Sequence, residues 1–258
     1  MKKTESDHRK RERFQKLLLR ETELLETYPL VAGVDEAGRG PLCGPVVCAA
    51  AMRRRGTLDP EKDSWLLEVN DSKQLSEEKR EMIFGHLMGK ESPFVISIAQ
   101  ADAEEIDRIN ILRATHKAMR EAVLGLRERP GFVLVDGTSI PDLGIPEEKV
   151  IKGDSLCLVI AAASIAAKVT RDHLMREMDE LYPGYDLAKN KGYGTAEHLK
   201  ALQELGRSPI HRKTFFVKGL DKEDGEAKKR ADGRRADRPR TEKKRLPDPQ
   251  AQLALFEE

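Results

Sequence analysis

Apolar residues recur along the chain in two rhythms, one of helices and one of strands. FQKLLLRETELL (14–25) carries its leucines at helical spacing and predicts a short N-terminal helix. PLVAGVD (29–35) and PVVCAAAM (45–52) read as strands, and the glycines and prolines between them suit a hairpin-like connection. NDSKQLSEEKREMIFGHL (70–87) opens with polar residues and then takes helical periodicity, with Ser76 as N-cap and Lys79 where a capping box wants an acid or amide. PFVISIAQA (93–101) alternates as a strand, and ILRATHKAMREAVLGL (111–126) is an amphipathic helix that ends near Pro130-Gly131. FVLVDG (132–137) and EKVIKGD (148–154) read as two further strands, each ending in an acid. A long helix is predicted from Ser155 to about Leu181, apolar first and amphipathic later, and TAEHLKALQELG (195–206) is a helix with a glycine stop. Strands first, then strands alternating with helices, predict a mixed α/β sheet covered by helices.

The 258 residues suffice for one sizeable domain with appendages. Expected boundaries are a helical extension at 1–26, a compact domain at 27–220, a basic linker at 221–249 and a terminal peptide at 250–258. The linker assignment rests on composition: from Glu226 to Leu246 there are ten Lys or Arg against four Asp or Glu, with almost nothing apolar. The formal net charge of +1 names no partner. The basic start lacks the apolar stretch of a signal peptide, and LCLVIAAASIAA (156–167) is too short to span a bilayer. Cys43, Cys48 and Cys157 form no C-x-x-C, so reduced core thiols in a cytoplasmic protein without membrane contact are expected.

The candidate chemistry lies in the acids. Asp35-Glu36, Asp136 and Asp154 each follow an apolar, strand-like run. If those strands are neighbours, four carboxyl groups converge and raise one another's pKa unless cations relieve the repulsion. Oxygen-only ligands select hard ions such as Mg²⁺ or Mn²⁺, and a pair of them suits phosphodiester hydrolysis. Side chains alternate along a strand, so Asp35 and Glu36 share one site only where the strand twists or ends. Taken singly, each acid is equally a turn former or a helix cap. No Cys/His pattern with zinc spacing competes, and His198 and His211 have no Ser or Cys partner motif for a hydrolase triad.

Read together, the motifs VAGVDEAGRGPLCGPVV, NDSKQLSEEKRE, VLVDG, KGDSLCLVIAAASIAAKVTRD and NKGYGTAEHLKAL…GRSPIHRKTF resemble, in order, bacterial ribonuclease HII over roughly Leu30 to Phe215. The resemblance implies a ribonuclease H-like mixed sheet flanked by helices, with a helical C-terminal part. It implies an endonuclease that cuts on the 5′ side of ribonucleotides embedded in or hybridised to DNA, leaving a 3′-hydroxyl and a 5′-phosphate, in ribonucleotide excision repair and primer removal. On this resemblance Asp35, Glu36, Asp136 and Asp154 are the catalytic acids and hold two Mg²⁺ or Mn²⁺ ions. Gly38, Arg39 and Gly40 recognise the 2′-hydroxyl through main-chain groups, and Tyr193 stacks on the following deoxyribose. Ser72 and Lys73 lie near the substrate backbone. Weak sequence preference, strong salt dependence and a monomeric state are expected.

On the long helix, Asp172, Glu177 and Asp179 read as solvated, while Lys168 and Arg171 face phosphate or complement those acids at i,i+4 spacing. Gln252, Leu253, Leu255 and Phe256 in QLALF resemble a bacterial sliding-clamp-binding motif, tethered by the linker. Two rival readings remain. One is ribonuclease HIII, which shares the acids and acts on longer hybrids; the other is a catalytically silent nucleic-acid-binding scaffold, which loss of one acid would have favoured.

Overall fold

The computed structural model describes residues 2–56, 58–217 and 219–221. The elements run α1 (Lys2–Leu25), β1 (Val31–Ala37), β2 (Val46–Arg53), α2 (Glu77–Met88), β3 (Phe94–Ala101), α3 (Ala103–Ile109), α4 (Ile111–Leu124), β4 (Phe132–Asp136), β5 (Glu147–Val150), α5 (Leu158–Leu181), α6 (Leu187–Asn190) and α7 (Ala196–Leu205). Short 3₁₀ turns occupy Ser64–Glu68, Ser72–Gln74 and Gly153–Ser155. The linker and terminal peptide, with the tail motif Gln252–Phe256, lie outside the described residues. No described helix is long and apolar enough to cross a membrane.

One five-stranded sheet has the order β3-β2-β1-β4-β5. β1 pairs antiparallel with β2 and parallel with β4, so it sits at the centre of a mixed sheet. Alternation along β1 divides the core. Ala32 and Val34 face the layer built from α3 and α4, with Ala114, Ala118 and Met119. Val31 faces the other layer, dominated by the apolar first half of α5. α5 crosses β1 so closely that a Cβ on Gly33 would sit 2.4 Å from backbone atoms of Val159 and Ile160. Glycine at 33 is therefore what lets a helix backbone rest on the central strand.

α1 reaches further than its leucine cluster suggested, and Phe14, Leu17 and Leu24 enter the same core as α5. Ser76 caps α2 as expected, accepting the Lys79 N–H at 3.3 Å. Thr195 caps α7, and Gly206 ends it at φ 74°. α3 and α6 were not anticipated. α3 is a short helix whose cap, Asp102, accepts the Glu105 N–H at 2.7 Å. α6 is one turn, started by Asp179 accepting the Leu187 N–H at 2.7 Å. The last strand is shorter than EKVIKGD implied. β5 stops at Val150, and Lys152 in the left-handed region (φ 58°) turns the chain into the 3₁₀ turn that carries Asp154. α5 accordingly begins at Leu158, not Ser155.

Candidate active site

Asp35 lies on β1, one step beyond the Val34–Val135 pairing with β4. That register sets it beside Asp136, the last residue of β4, at the C-terminal ends of two neighbouring parallel strands. β1 runs on to Ala37, past its last pairing with β4 at Val34, and Glu36, the next residue along it, feels the charges of Arg39, Asp136 and Lys73. Asp154 arrives from the turn beyond β5, tied to β4 because the Gly153 N–H donates to Asp136 Oδ1 at 2.7 Å. Asp35 and Asp154 are each 4% exposed.

Three of the four carboxyls are raised by burial and by the charge of neighbouring acids. Burial, followed by the charges of Glu36 and Asp136, pushes Asp35 well above the usual carboxylate range. Burial also raises Glu36 and Asp136; Asp136 adds to the rise at Glu36, and Asp154 adds to that at Asp136. Two side-chain cations offset part of this: Arg39 Nη1 lies 3.4 Å from Glu36 Oε1, and Lys73 Nζ lies 3.4 Å from Asp154 Oδ2. Two cations against four carboxyls leave the array short of positive charge. The acids stand further apart than a closed single-ion cage. Among the described residues, three ligating side chains with all donor atoms within 4.8 Å occur at Cys43, His198 and His211 instead.

Ser72 and Lys73, adjacent in sequence, take different parts. The Lys73 side chain is 78% exposed beside the acids. Ser72 is turned inward, 3% exposed, with its hydroxyl 2.9 Å from that of Ser164. Ser164 in turn hydrogen-bonds Asp35. The side chain of Ser72 is thus turned inward, behind Asp35, by way of Ser164.

Gly38, Arg39 and Gly40 open the loop between β1 and β2. Gly38 adopts φ 95°, and a Cβ there would fall 2.0 Å from Nε of Arg171. This glycine is required by packing from below, whereas Gly40 meets nothing closer than Tyr193 Cε1 at 3.8 Å. Gly40 is the open position, next to a tyrosine ring that is 48% exposed. The Tyr193 backbone is pinned, because the three successive carbonyls of Lys191, Gly192 and Tyr193 accept from Arg171, the Leu42 N–H and His198 respectively.

Several residues that hold this site gave little sign in the sequence. Arg171, read as a surface residue of α5, is 1% exposed and donates to backbone carbonyls. Arg212 does the same from the chain after α7 and is fully buried. Asp172, expected in solvent, is buried with Lys168 Nζ at 2.7 Å. In the Cys43–His198–His211 group the two histidines belong to a hydrogen-bonded chain, with the Cys43 thiol beside them. Ser208 donates its backbone N–H to Nδ1 of His211 at 3.0 Å, so the His211 proton sits on Nε2. That proton points at His198 Nε2, 3.1 Å away, and His198 donates from Nδ1 to the Tyr193 carbonyl at 2.9 Å. Ligation of a cation would need both Nε2 atoms bare. Burial pushes the Cys43 thiol up to about 12, lowers His198 and, with His198 beside it, takes His211 down to about 4, so all three groups are neutral at physiological pH. The only sequence signal was position: HRKTF and KGYGT lie within motifs already singled out.

A mixed sheet with parallel β1 and β4 at its centre, a helix laid across β1 and acids at the strand ends defines a ribonuclease H-like fold. The family model described as Ribonuclease HII matches residues 32–218. Ribonuclease HII of Desulfitobacterium hafniense (strain Y51) is 52% identical over 205 residues, covering 79% of this chain and 75% of that protein. The solved ribonuclease H2 of Pyrococcus horikoshii OT3 superposes with a TM-score of 0.59 at 27% identity, covering 73% of this chain and 94% of that one. A ribonuclease HII of Archaeoglobus fulgidus, solved in complex with PCNA, superposes with a TM-score of 0.60 at 23% identity, covering 73% of this chain and 96% of that one. The chain belongs to the ribonuclease HII family and is a type 2 ribonuclease H endonuclease.

Proposed function

We propose that this endoribonuclease hydrolyses the phosphodiester on the 5′ side of ribonucleotides embedded in, or hybridised to, DNA, with two Mg²⁺ or Mn²⁺ ions, leaving a 3′-hydroxyl and a 5′-phosphate. The observation that carries this reading is the group of four acids, three of them raised by burial and neighbouring charge and offset among the described residues by the cations of Arg39 and Lys73, beside Gly40 and the exposed Tyr193. The donors are all oxygen, which fits hard divalent ions. Such ions, when bound, lower the pKa of an attacking water and neutralise charge on the phosphate and the leaving oxygen.

In this reading Asp35, Glu36, Asp136 and Asp154 hold the ions. The ammonium of Lys73 offsets charge on the scissile phosphate, and Arg39 adds a charge-assisted contact to a neighbouring one. The backbone at Gly40, without a Cβ in the way, admits the 2′-hydroxyl, the group that separates RNA from DNA. Tyr193 stacks on the next sugar when that sugar is deoxyribose. The enzyme then serves ribonucleotide excision repair and primer removal in the cytoplasm. Gln252, Leu253, Leu255 and Phe256 dock on the sliding clamp, a partner of the kind the Archaeoglobus relative has in PCNA.

The test is incubation with a DNA duplex carrying one ribonucleotide. Cleavage on its 5′ side with Mg²⁺ or Mn²⁺, abolished by chelator, is expected; cutting that survives chelation overturns the mechanism. Deleting residues 250–258 should reduce clamp pull-down and leave cleavage of a short duplex intact. Unchanged pull-down removes the clamp from the reading.

A further inference from the structure

Beneath the surface between the Gly38–Pro45 loop and the Lys191–Thr195 loop, two buried arginines collect six backbone carbonyls. Arg212 donates to Gly38 (2.5 Å), Arg39 (2.9 Å) and Gly44 (3.0 and 3.1 Å). Arg171 donates to Pro45 (3.0 Å), Lys191 (3.0 Å) and Cys43 (3.2 Å). Among the described residues neither guanidinium forms an ion pair. Two like charges buried side by side are unfavourable in the fold, and apolar residues could fill the same volume. Their use has to lie in what the carbonyls do.

In a trans peptide the C=O and the N–H point in opposite directions. With the carbonyls of Gly38 and Arg39 drawn down to Arg212, the N–H groups of Arg39 and Gly40 point away from that guanidinium, and Gly40 is the open position beside Tyr193. Among the described residues neither N–H finds an acceptor. Arg171 meanwhile binds both loops at once, through Cys43 and Pro45 on one side and Lys191 on the other. A planar fork spreads its donors in fixed directions and so holds three separated carbonyls; an ammonium carries its three donors on one atom and does not hold them apart in the same way.

We propose that Arg171 and Arg212 are positioning residues that turn the amides of the Gly38–Gly40 loop outward and fix their distance from Tyr193, and so set the preference for a ribonucleotide followed by a deoxyribonucleotide. This rests on the function proposed above. The pair touches no substrate and acts through backbone it holds from beneath.

The experiment compares two substrates, a DNA duplex with one ribonucleotide and a uniform RNA–DNA hybrid, for the full chain, Arg171→Lys and Arg212→Lys, each also carrying Tyr193→Ala. kcat and KM are measured separately, with the Mg²⁺ midpoint and the near-UV circular dichroism. For folded lysine variants the kcat/KM ratio between the two substrates should fall about tenfold or more, with the Mg²⁺ midpoint unmoved. With Tyr193→Ala already present, Arg212→Lys should change that ratio by less than about twofold, because the two act as one unit. Equal losses on both substrates, or effects that multiply with Tyr193→Ala, would overturn the proposal. So would unfolding of both lysine variants, since the pair would then be holding the fold. A full-length wild type that cuts neither substrate sinks the functional reading instead, and a wild type whose preference survives in both variants sinks the positioning role alone.

Discussion

Asp35 combines deep burial with two acidic neighbours, so the folded protein holds its proton more tightly than the unfolded chain does. For a carboxyl raised in this way, the stability it contributes is complete below its unfolded pKa and is lost as pH rises through the folded value. Asp35→Asn is therefore expected to raise Tm in chelator at neutral pH, while cleavage falls by about 10³-fold or more. Adding Mg²⁺ should raise the Tm of the wild type and leave that of the variant nearly unchanged. A thermal melt in chelator that shows the variant less stable would contradict the account of mutual repulsion. Gly38 makes the opposite case, a residue with no chemistry of its own. At φ 95°, with Arg171 Nε 2.0 Å from any Cβ, Gly38→Ala combines backbone strain with a clash against a fully buried side chain. A loss of about 2–3 kcal/mol in urea unfolding is expected, with KM for a ribonucleotide-bearing duplex raised more than kcat is lowered.

At the scale of elements, the contact of α5 with β1 carries the site, because Ser164 reaches Asp35 from that helix. Gly33→Ala places a methyl 2.4 Å from the Val159 and Ile160 backbone, which cannot swing aside. It should cost about 3 kcal/mol or more, read as an earlier urea midpoint. α1 is tied to the end of β2 by the fully buried Glu21, whose Oε1 lies 2.9 Å from Arg53 Nη1. Burial outweighs that partner and pushes Glu21 from 4.5 up to about 7. The contribution is fully present below about pH 4.5 and lost as pH rises through about 7, on the order of 3 kcal/mol in all. Glu21→Gln should flatten the stability profile between pH 5 and 8; identical profiles for wild type and variant would remove Glu21 from the account.

For the whole molecule, α1 is core as much as appendage. Phe14, Leu17 and Leu24 are at most 8% exposed and pack with α5, so removing residues 1–26 strips three large apolar groups and leaves their cavities. A loss of about 5 kcal/mol or more is expected, a large part of the stability of an ordinary domain, and the truncated chain should be insoluble or partly unfolded. A soluble truncation with an unchanged urea midpoint would show that this helix only rests on the surface.

How much of this could be read from the residues differs by kind of interaction. Strands β1 to β4, helices α2, α4 and α7 and the Ser76 cap were legible, because periodicity and capping are local. The one-turn α6 and the early stop of β5 were not, since they depend on Asp179 reaching Leu187 and on Lys152 entering the left-handed region. The four acids were visible as acids after apolar runs, with their meaning supplied by motif order. Their mutual repulsion belongs to the register of β1 against β4 and to the Gly153–Asp136 hydrogen bond. Sequence by itself determined the alternation, the caps and the supply of carboxylates, because these reside in neighbouring residues and in composition. Only the tertiary structure decided that Arg171 and Arg212 are buried beneath the Gly38–Gly40 loop, that Ser72 faces inward and that His198 holds the Tyr193 carbonyl. The donors and acceptors in those contacts lie far apart along the chain or on faces that a helical pattern marks as polar, and their pairing exists only once the sheet and α5 have closed on each other.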